Sequence, residues 1–181
     1  MSERKGDWAQ TYTGKQFWPL DPLAREIDLK DIAHSLGYQC RFNGHSLQFY
    51  SVAQHSVLVS RLVSREQSLA ALFHDAAESY TGDLIRPLKK FLPREFKEIE
   101  SQIEKQIYLA FGITNVNEEE IKLADNIALM TEMRDVMAKP PVRWNEEGLY
   151  QPHPEKIIPL GPDEAGEFFI RRYKELTKAS R

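Results

Sequence analysis

The sequence predicts an all-α domain carrying one small β-hairpin, and three observations carry that reading. Helix-capping residues stand directly before apolar residues spaced i, i+3, i+4, i+7. One Asn-Gly pair, Asn43-Gly44, lies inside the stretch Tyr38 to Tyr50, where it signals a tight hairpin. The composition is 41% hydrophobic and 28% charged over 181 residues, an ordinary balance for one globular domain.

The elements follow in order. Residues 1–27 read as irregular, because Pro19 and Pro22 oppose a helix; Trp8, Tyr12, Phe17 and Trp18 predict that this segment packs on the body. Asp28 caps a helix through Leu29, Ile32, Ala33 and Leu36, which Gly37 ends. The hairpin near residues 38–50 comes next. Ser51 with Gln54 forms a capping box opening a helix to about Val63; Ser64 with Gln67 opens another to about Ser79. Gly82, Pro87 and Pro93 mark a loop, and a helix from about Arg94 to Phe111 is stopped by Gly112. Asn117 with Glu120 opens a helix to about Ala138. Pro140, Pro141, Pro152, Pro154 and Pro159 make 139–162 a loop, with short strands expected around Arg143 and Ile157. Pro162 starts a last helix through Phe168, Phe169, Tyr173 and Leu176, whose apolar stripe suits either a dimer surface or the monomer core.

Composition excludes several function classes. No apolar run reaches the length of a membrane span. A single cysteine, Cys40, forbids an intrachain disulfide and a Cys-rich zinc site, and with no secretory signal in view the expected compartment is the reducing cytoplasm. A net charge of -3 and a pI near 6.0 argue against a dedicated nucleic-acid binder, while leaving room for a small phosphorylated ligand.

Polar residues on apolar faces point to chemistry. His55 sits among Val52, Leu58, Val59 and Leu62. His74 and Asp75 interrupt Leu69, Ala70, Leu72, Phe73, Ala76 and Ala77, with Glu78 following. Asp125 shares a face with Ile121, Ala124, Ala128 and Leu129. A lone histidine or aspartate in such a place is more often a hydrogen-bonded core residue or an ion-pair partner. Three such coincidences on three helices instead assemble two nitrogens and two oxygens, a set suited to one divalent transition metal. His34, His45 and His153 lack the spacing of a second metal set. Glu132, Arg134 and Asp135 read as a solvated or subunit-facing helix surface.

The stretches SVAQHSVLVSRLV, ALFHDAAESYTGDL and IKLADNIALM resemble the HD-domain metal-dependent phosphohydrolase superfamily, and most resemble its bacterial 5'-deoxynucleotidase-like branch. The resemblance spans about residues 28–138. It implies one HD helical-bundle domain over 1–181: a core of about 28–138, an aromatic N-terminal segment 1–27, and a C-terminal loop and helix 139–181. It further implies that His55, His74, Asp75 and Asp125 ligate one metal (Mn, Co, Ni, Fe or Zn). Glu78 matches a catalytic acid/base, Asp83 a residue near the sugar and leaving oxygen, and Arg41 an arginine that grips phosphate. Phe42 stands where the nucleotidases carry a tryptophan associated with the sugar 2' position, which leaves ribose against deoxyribose open. Arg86, with Lys89 and Lys90 behind it, is an added cation group that suits a longer phosphate tail or a solvated loop. The implied activity is hydrolysis of a (deoxy)nucleoside 5'-monophosphate by metal-activated water. The alternatives are a nucleoside triphosphate phosphohydrolase and a non-catalytic nucleotide sensor; a homodimer is compatible with each.

Overall fold

Asp28 begins the first helix as its sequence predicts. In the computed structural model, which describes residues 4–178, its carboxylate accepts the Lys30 N–H at 2.9 Å and α1 runs Leu29–Tyr38. Ser51 accepts the Gln54 N–H at 3.1 Å and opens α2, Val52–Arg61. The short helices α3 (Ser68–Leu72), α4 (Glu78–Thr81) and α5 (Arg86–Lys89) follow, then α6, Arg94–Phe111. Gly112 closes α6 in a left-handed conformation (φ 67°), where a Cβ would be strained. Asn117 accepts the Glu120 N–H at 3.1 Å and caps α7, Glu118–Asp135; α8 is Pro162–Lys178.

The all-α class with one small hairpin is found, but the hairpin lies elsewhere. Its strands are β1 (Ala9–Gln10) and β2 (Gln16–Phe17), inside the segment expected to be irregular. That segment does pack on the body. Phe17 is fully buried and stacks on Tyr80 at 3.8 Å, while Asp31 accepts both the N–H and the hydroxyl of Thr13. At 38–50 the chain doubles back through one antiparallel bridge, Cys40 with Ser51, around a 3-10 turn at Arg41–Gly44. Asn43 and Gly44 take the positive φ expected of them, but so does Phe42 at 56°. Three successive left-handed residues coil the chain instead of matching the twist of two flanking strands.

A second difference is the helix expected over 64–79. It breaks into α3 and α4, separated by turns at 73–77. Ser64 does not cap it: its N–H donates to Glu120, and Gln67 accepts the Asn117 N–H at 2.8 Å, so both residues tie the segment to α7. The loop over 139–161 contains one bridge, Glu147 with Tyr150, in place of the expected short strands.

The main core joins Ile32, Ala33 and Leu36 of α1 to Val52, Ala53 and Val57 of α2, Ile103 and Ile107 of α6, and Ala165 and Phe169 of α8. Each of the Val, Leu, Ile and Phe side chains among them contributes about 1.5–3 kcal/mol of burial. Glycines let α1 and α8 touch: a Cβ on Gly37 would lie 2.7 Å from the Pro162 carbonyl oxygen, and one on Gly166 would lie 3.0 Å from that of Ala33. A smaller cluster of Val59, Ala70, Ala71, Ile121, Ala124 and Ala128 seats α7 against α2 and α3. Between the two clusters His55 of α2 faces α7 and the 73–77 turns.

Candidate active site

The first residue of the site is His55, on the second turn of α2 and fully buried. Its Nδ1–H donates to Glu132 at 2.6 Å, which leaves Nε2 as the ring's free face. His74 sits in the turn after α3, where its Nδ1–H donates to the Ala71 carbonyl at 2.7 Å. A carbonyl only accepts, so the proton belongs on Nδ1 and Nε2 again points away. Both Nε2 atoms are buried without a hydrogen-bond partner.

Two carboxylates face them. Asp75 Oδ2 lies 3.5 Å from His55 Nε2 and 3.3 Å from His74 Nε2; Asp125 Oδ1, on α7, lies 3.4 Å from His55 Nε2. Among the described residues, ligand atoms of His55, His74 and Asp125 fall within 4.8 Å of one another. Ligands about 2.1 Å from one ion are separated by about 3.0–3.4 Å along the edges of an octahedron or tetrahedron. The three histidine-to-carboxylate separations are close to that scale; His55, His74 and Asp125 as a set lie within a looser 4.8 Å, and Asp75 joins them through its approach to both imidazoles. Two orphaned imidazole nitrogens, each oriented from behind, facing two carboxylate oxygens, fit a divalent transition metal.

The electrostatics agree with a site built around positive charge. Burial works to lower the His74 imidazole, but Asp75 and then Asp125 outweigh it and raise it to about 9. Burial likewise works to raise Asp75 and Asp125; His74 next to Asp75, and His55 next to Asp125, hold both carboxyls well below the usual range. A metal and a proton therefore compete for the same nitrogens.

Arg41 approaches from the 3-10 turn. Its guanidinium donates to Glu132 at 3.1 Å, lies 3.6 Å from Asp75, and leaves Nε buried without a partner. Burial works against its charge, and Glu132, Asp75, Asp125 and Asp83 more than compensate, so it stays a fixed cation. Phe42 lies beneath that guanidinium at 5.3 Å. Glu78 begins α4. One of its oxygens accepts from Lys89, and the other is buried and unpartnered. Burial first, then Asp75 and Asp83, push its carboxyl well above the ordinary value against the pull of Lys89. Burial also raises Asp83, whose backbone N–H is held by Gln39 at 3.2 Å.

A cavity of about 670 Å³ is lined by Arg41, Asp75, Glu78, Asp83 and Asp125. Phe42, Leu84, Ile85, Met137 and Trp144 supply apolar lining to the same cavity. Such a volume is typical of small-molecule sites. Arg86 and Lys89 line it too, but both are engaged. Arg86 donates to Asp125 Oδ2 and to Asn126 at 3.0 Å, and Lys89 pairs with Glu78.

The sequence reading missed two contributors. Glu132, expected at a solvated surface, is fully buried between His55 and Arg41. Its neighbour Asp135 is also largely covered: it pairs with Arg134 at 2.7 Å and accepts the Ile157 N–H at 2.8 Å. The signal for Glu132 was spacing, since it lies seven residues after Asp125 and therefore on the same helical stripe. Trp144 carried no sequence signal, because it reaches the cavity from a loop. Of the remaining histidines, His34 stacks on Tyr12 at 3.7 Å, and His45 is exposed.

No family model matches the chain. Over 170 residues it is 39% identical to the uncharacterized protein YfdR of Escherichia coli (strain K12), a match covering 93% of this chain and 95% of that protein. It is 33% identical over 145 residues to the uncharacterized protein RCAP_rcc00048 of Rhodobacter capsulatus, covering 73% and 74% respectively. A protein named 5'-deoxynucleotidase from Vibrio cholerae is 36% identical over 90 residues, covering 48% of this chain and 44% of that one. Several other bacterial proteins of that name match over comparable or shorter stretches.

Proposed function

This chain belongs to the family of Escherichia coli YfdR, and from that premise we propose that it is a divalent-metal-dependent phosphohydrolase of the HD-domain type. Its substrate is a (deoxy)nucleoside 5'-monophosphate, and residues 1–181 act as one catalytic domain. The similarity to proteins named 5'-deoxynucleotidase supports the nucleotidase reading over about half the chain. The observation that carries the metal is the pair of buried, partnerless Nε2 atoms of His55 and His74 facing Asp75 and Asp125.

His55, His74, Asp75 and Asp125 would hold the ion. When bound, it supplies Lewis acidity and a template for a phosphate oxygen and water. Arg41 binds the remaining phosphate oxygens through its guanidinium, whose charge is kept by Glu132 and Asp75. The unpartnered oxygen of Glu78 orients the attacking water. Its raised carboxyl also suits it to return a proton to the leaving sugar oxygen. Asp83 sits beside that pair to hold the sugar, and Phe42 and Trp144 offer apolar surface to the base. Arg86 engages the far oxygen of Asp125 and so orients that carboxylate.

One observation favours a triphosphate as a second reading. A neighbouring cavity of about 970 Å³ reaches His74 and Asp125; besides the engaged Arg86 and Lys89 it is lined by Lys90, Lys105 and Lys122, with Glu104, Glu118 and Glu146 among them. The deciding experiment loads the protein separately with manganese, cobalt, nickel, zinc and magnesium. Each form is given ribo- and deoxynucleoside mono- and triphosphates, and the products are separated by chromatography. Nucleoside plus orthophosphate from monophosphates is the expected result. Turnover of triphosphates alone moves the assignment to the second reading. Nucleotide binding with no product under any metal overturns the catalytic reading.

A further inference from the structure

We infer that Glu132 is a positioning residue that holds the two working parts of the site, His55 and Arg41, in one geometry through its two carboxylate oxygens. The inference rests on the metal-site reading above and adds a residue to it. One oxygen accepts His55 Nδ1–H at 2.6 Å and the other accepts the Arg41 guanidinium at 3.1 Å. The carboxylate is 0% exposed, and so is His55. Solvent therefore does not reach the His55 bond, while Arg41, 9% exposed, meets Glu132 from the cavity side.

The arrangement has a chemical logic. A buried carboxylate facing a ring nitrogen fixes the tautomer, turns the second nitrogen outward and raises its basicity as a ligand. The same carboxylate stops the arginine from collapsing onto Asp75, which lies 3.6 Å away and is needed elsewhere. Glu132 is kept ionised against its burial by Arg41 and then His55. Its removal therefore frees two donors at once. Position 132 lies on α7 two turns beyond Asp125, so one rigid helix carries both a candidate ligand and the group that orients another.

The test uses E132Q, which keeps volume but offers one acceptor oxygen where two donors need one each, together with E132A. Manganese binding to the full chain is titrated by calorimetry, and inorganic phosphate is then titrated into the manganese form. The imidazole nitrogen spectra of the metal-free proteins are recorded at a pH where the rings are neutral. In E132Q the dissociation constant for manganese, for phosphate, or for both rises about 10–100-fold, with an unchanged circular dichroism spectrum. In E132A the His55 ring loses its single Nδ1–H tautomer. Folded variants with both affinities within twofold of the parent and an unaltered tautomer overturn the inference. A parent protein that binds no divalent ion overturns the metal reading instead, and the tautomer result still decides the role of Glu132.

Discussion

Replacing Gly37 by alanine tests the contact that sets α1 against α8. At most helical positions the change stabilises a protein by about 0.4–1 kcal/mol, because the unfolded chain loses freedom. Here the new methyl would meet the Pro162 carbonyl oxygen at 2.7 Å, the Gly166 nitrogen at 3.1 Å and its Cα at 3.3 Å. All three are backbone atoms, so none can rotate away. Forcing a methyl into such a contact costs about 1–3 kcal/mol. Subtracting the entropic gain leaves a loss of up to about 2.6 kcal/mol, centred near about 1.3 kcal/mol. For a chain of this length the central value is a fall in Tm of about 3–5 °C, read by thermal denaturation followed by circular dichroism. Gly166→Ala should act in the same direction, since its Cβ would stand 3.0 Å from the Ala33 carbonyl oxygen. The double variant should lose less than the sum, because either methyl alone already separates the helices. A midpoint for Gly37→Ala equal to or above that of the parent would refute the reasoning. The strain should also be felt at the site, because Gln39 at the end of α1 donates to the Glu78 carbonyl at 2.9 Å and accepts the Asp83 N–H.

Three more predictions follow from single contacts. His74→Ala should lower the metal content of protein purified with manganese by at least tenfold, measured by elemental analysis, while the helical spectrum persists. Arg41→Lys cannot replace a guanidinium that bridges Glu132 and Asp75; steady-state kinetics on a monophosphate should show kcat/KM reduced at least tenfold, the worth of a charged hydrogen bond of about 1.5–3 kcal/mol. Asp28→Ala should remove about 1 kcal/mol of cap stability at neutral pH. The Lys15 hydrogen bond first, then the Lys30 N–H, hold the Asp28 carboxyl below its ordinary value. Its contribution is thus complete above the unfolded-state value and fades as pH falls through the lower folded one. Urea midpoints of parent and variant should accordingly converge in acid.

What the sequence made legible was whatever local chemistry decides. Asp28, Ser51 and Asn117 announce their helices because a short polar side chain before an apolar stripe satisfies orphan N–H groups. His55, His74 and Asp125 stood out as polar groups on apolar faces, and the fold brings them together. Other features depended on tertiary partners. Ser64 and Gln67 spend their hydrogen bonds on α7, so the continuous helix expected there breaks and His74 and Asp75 lie in turns. The left-handed φ of Phe42 cannot be foreseen from a residue that normally avoids it. Glu132 was hidden because α7 is buried on more than one side, Asn126, Met130 and Thr131 included. Its pattern therefore resembles that of a polar surface helix.

The seating of α8 against α1 also bears on how the chain comes into being. Gly37 and Ala33 emerge from the ribosome more than a hundred residues before Gly166 and Ala165 reach them. Through that interval α1 and α2 can pack on each other and on residues up to Ile107, but the side that α8 covers stays bare and adhesive until Phe169 arrives. The core thus closes late in synthesis, through contacts of long sequence separation, which are slow to form. A ribosome-bound chain halted near residue 150 should still be captured by a holdase chaperone, and one extended past residue 178 by a tunnel-length spacer should be released.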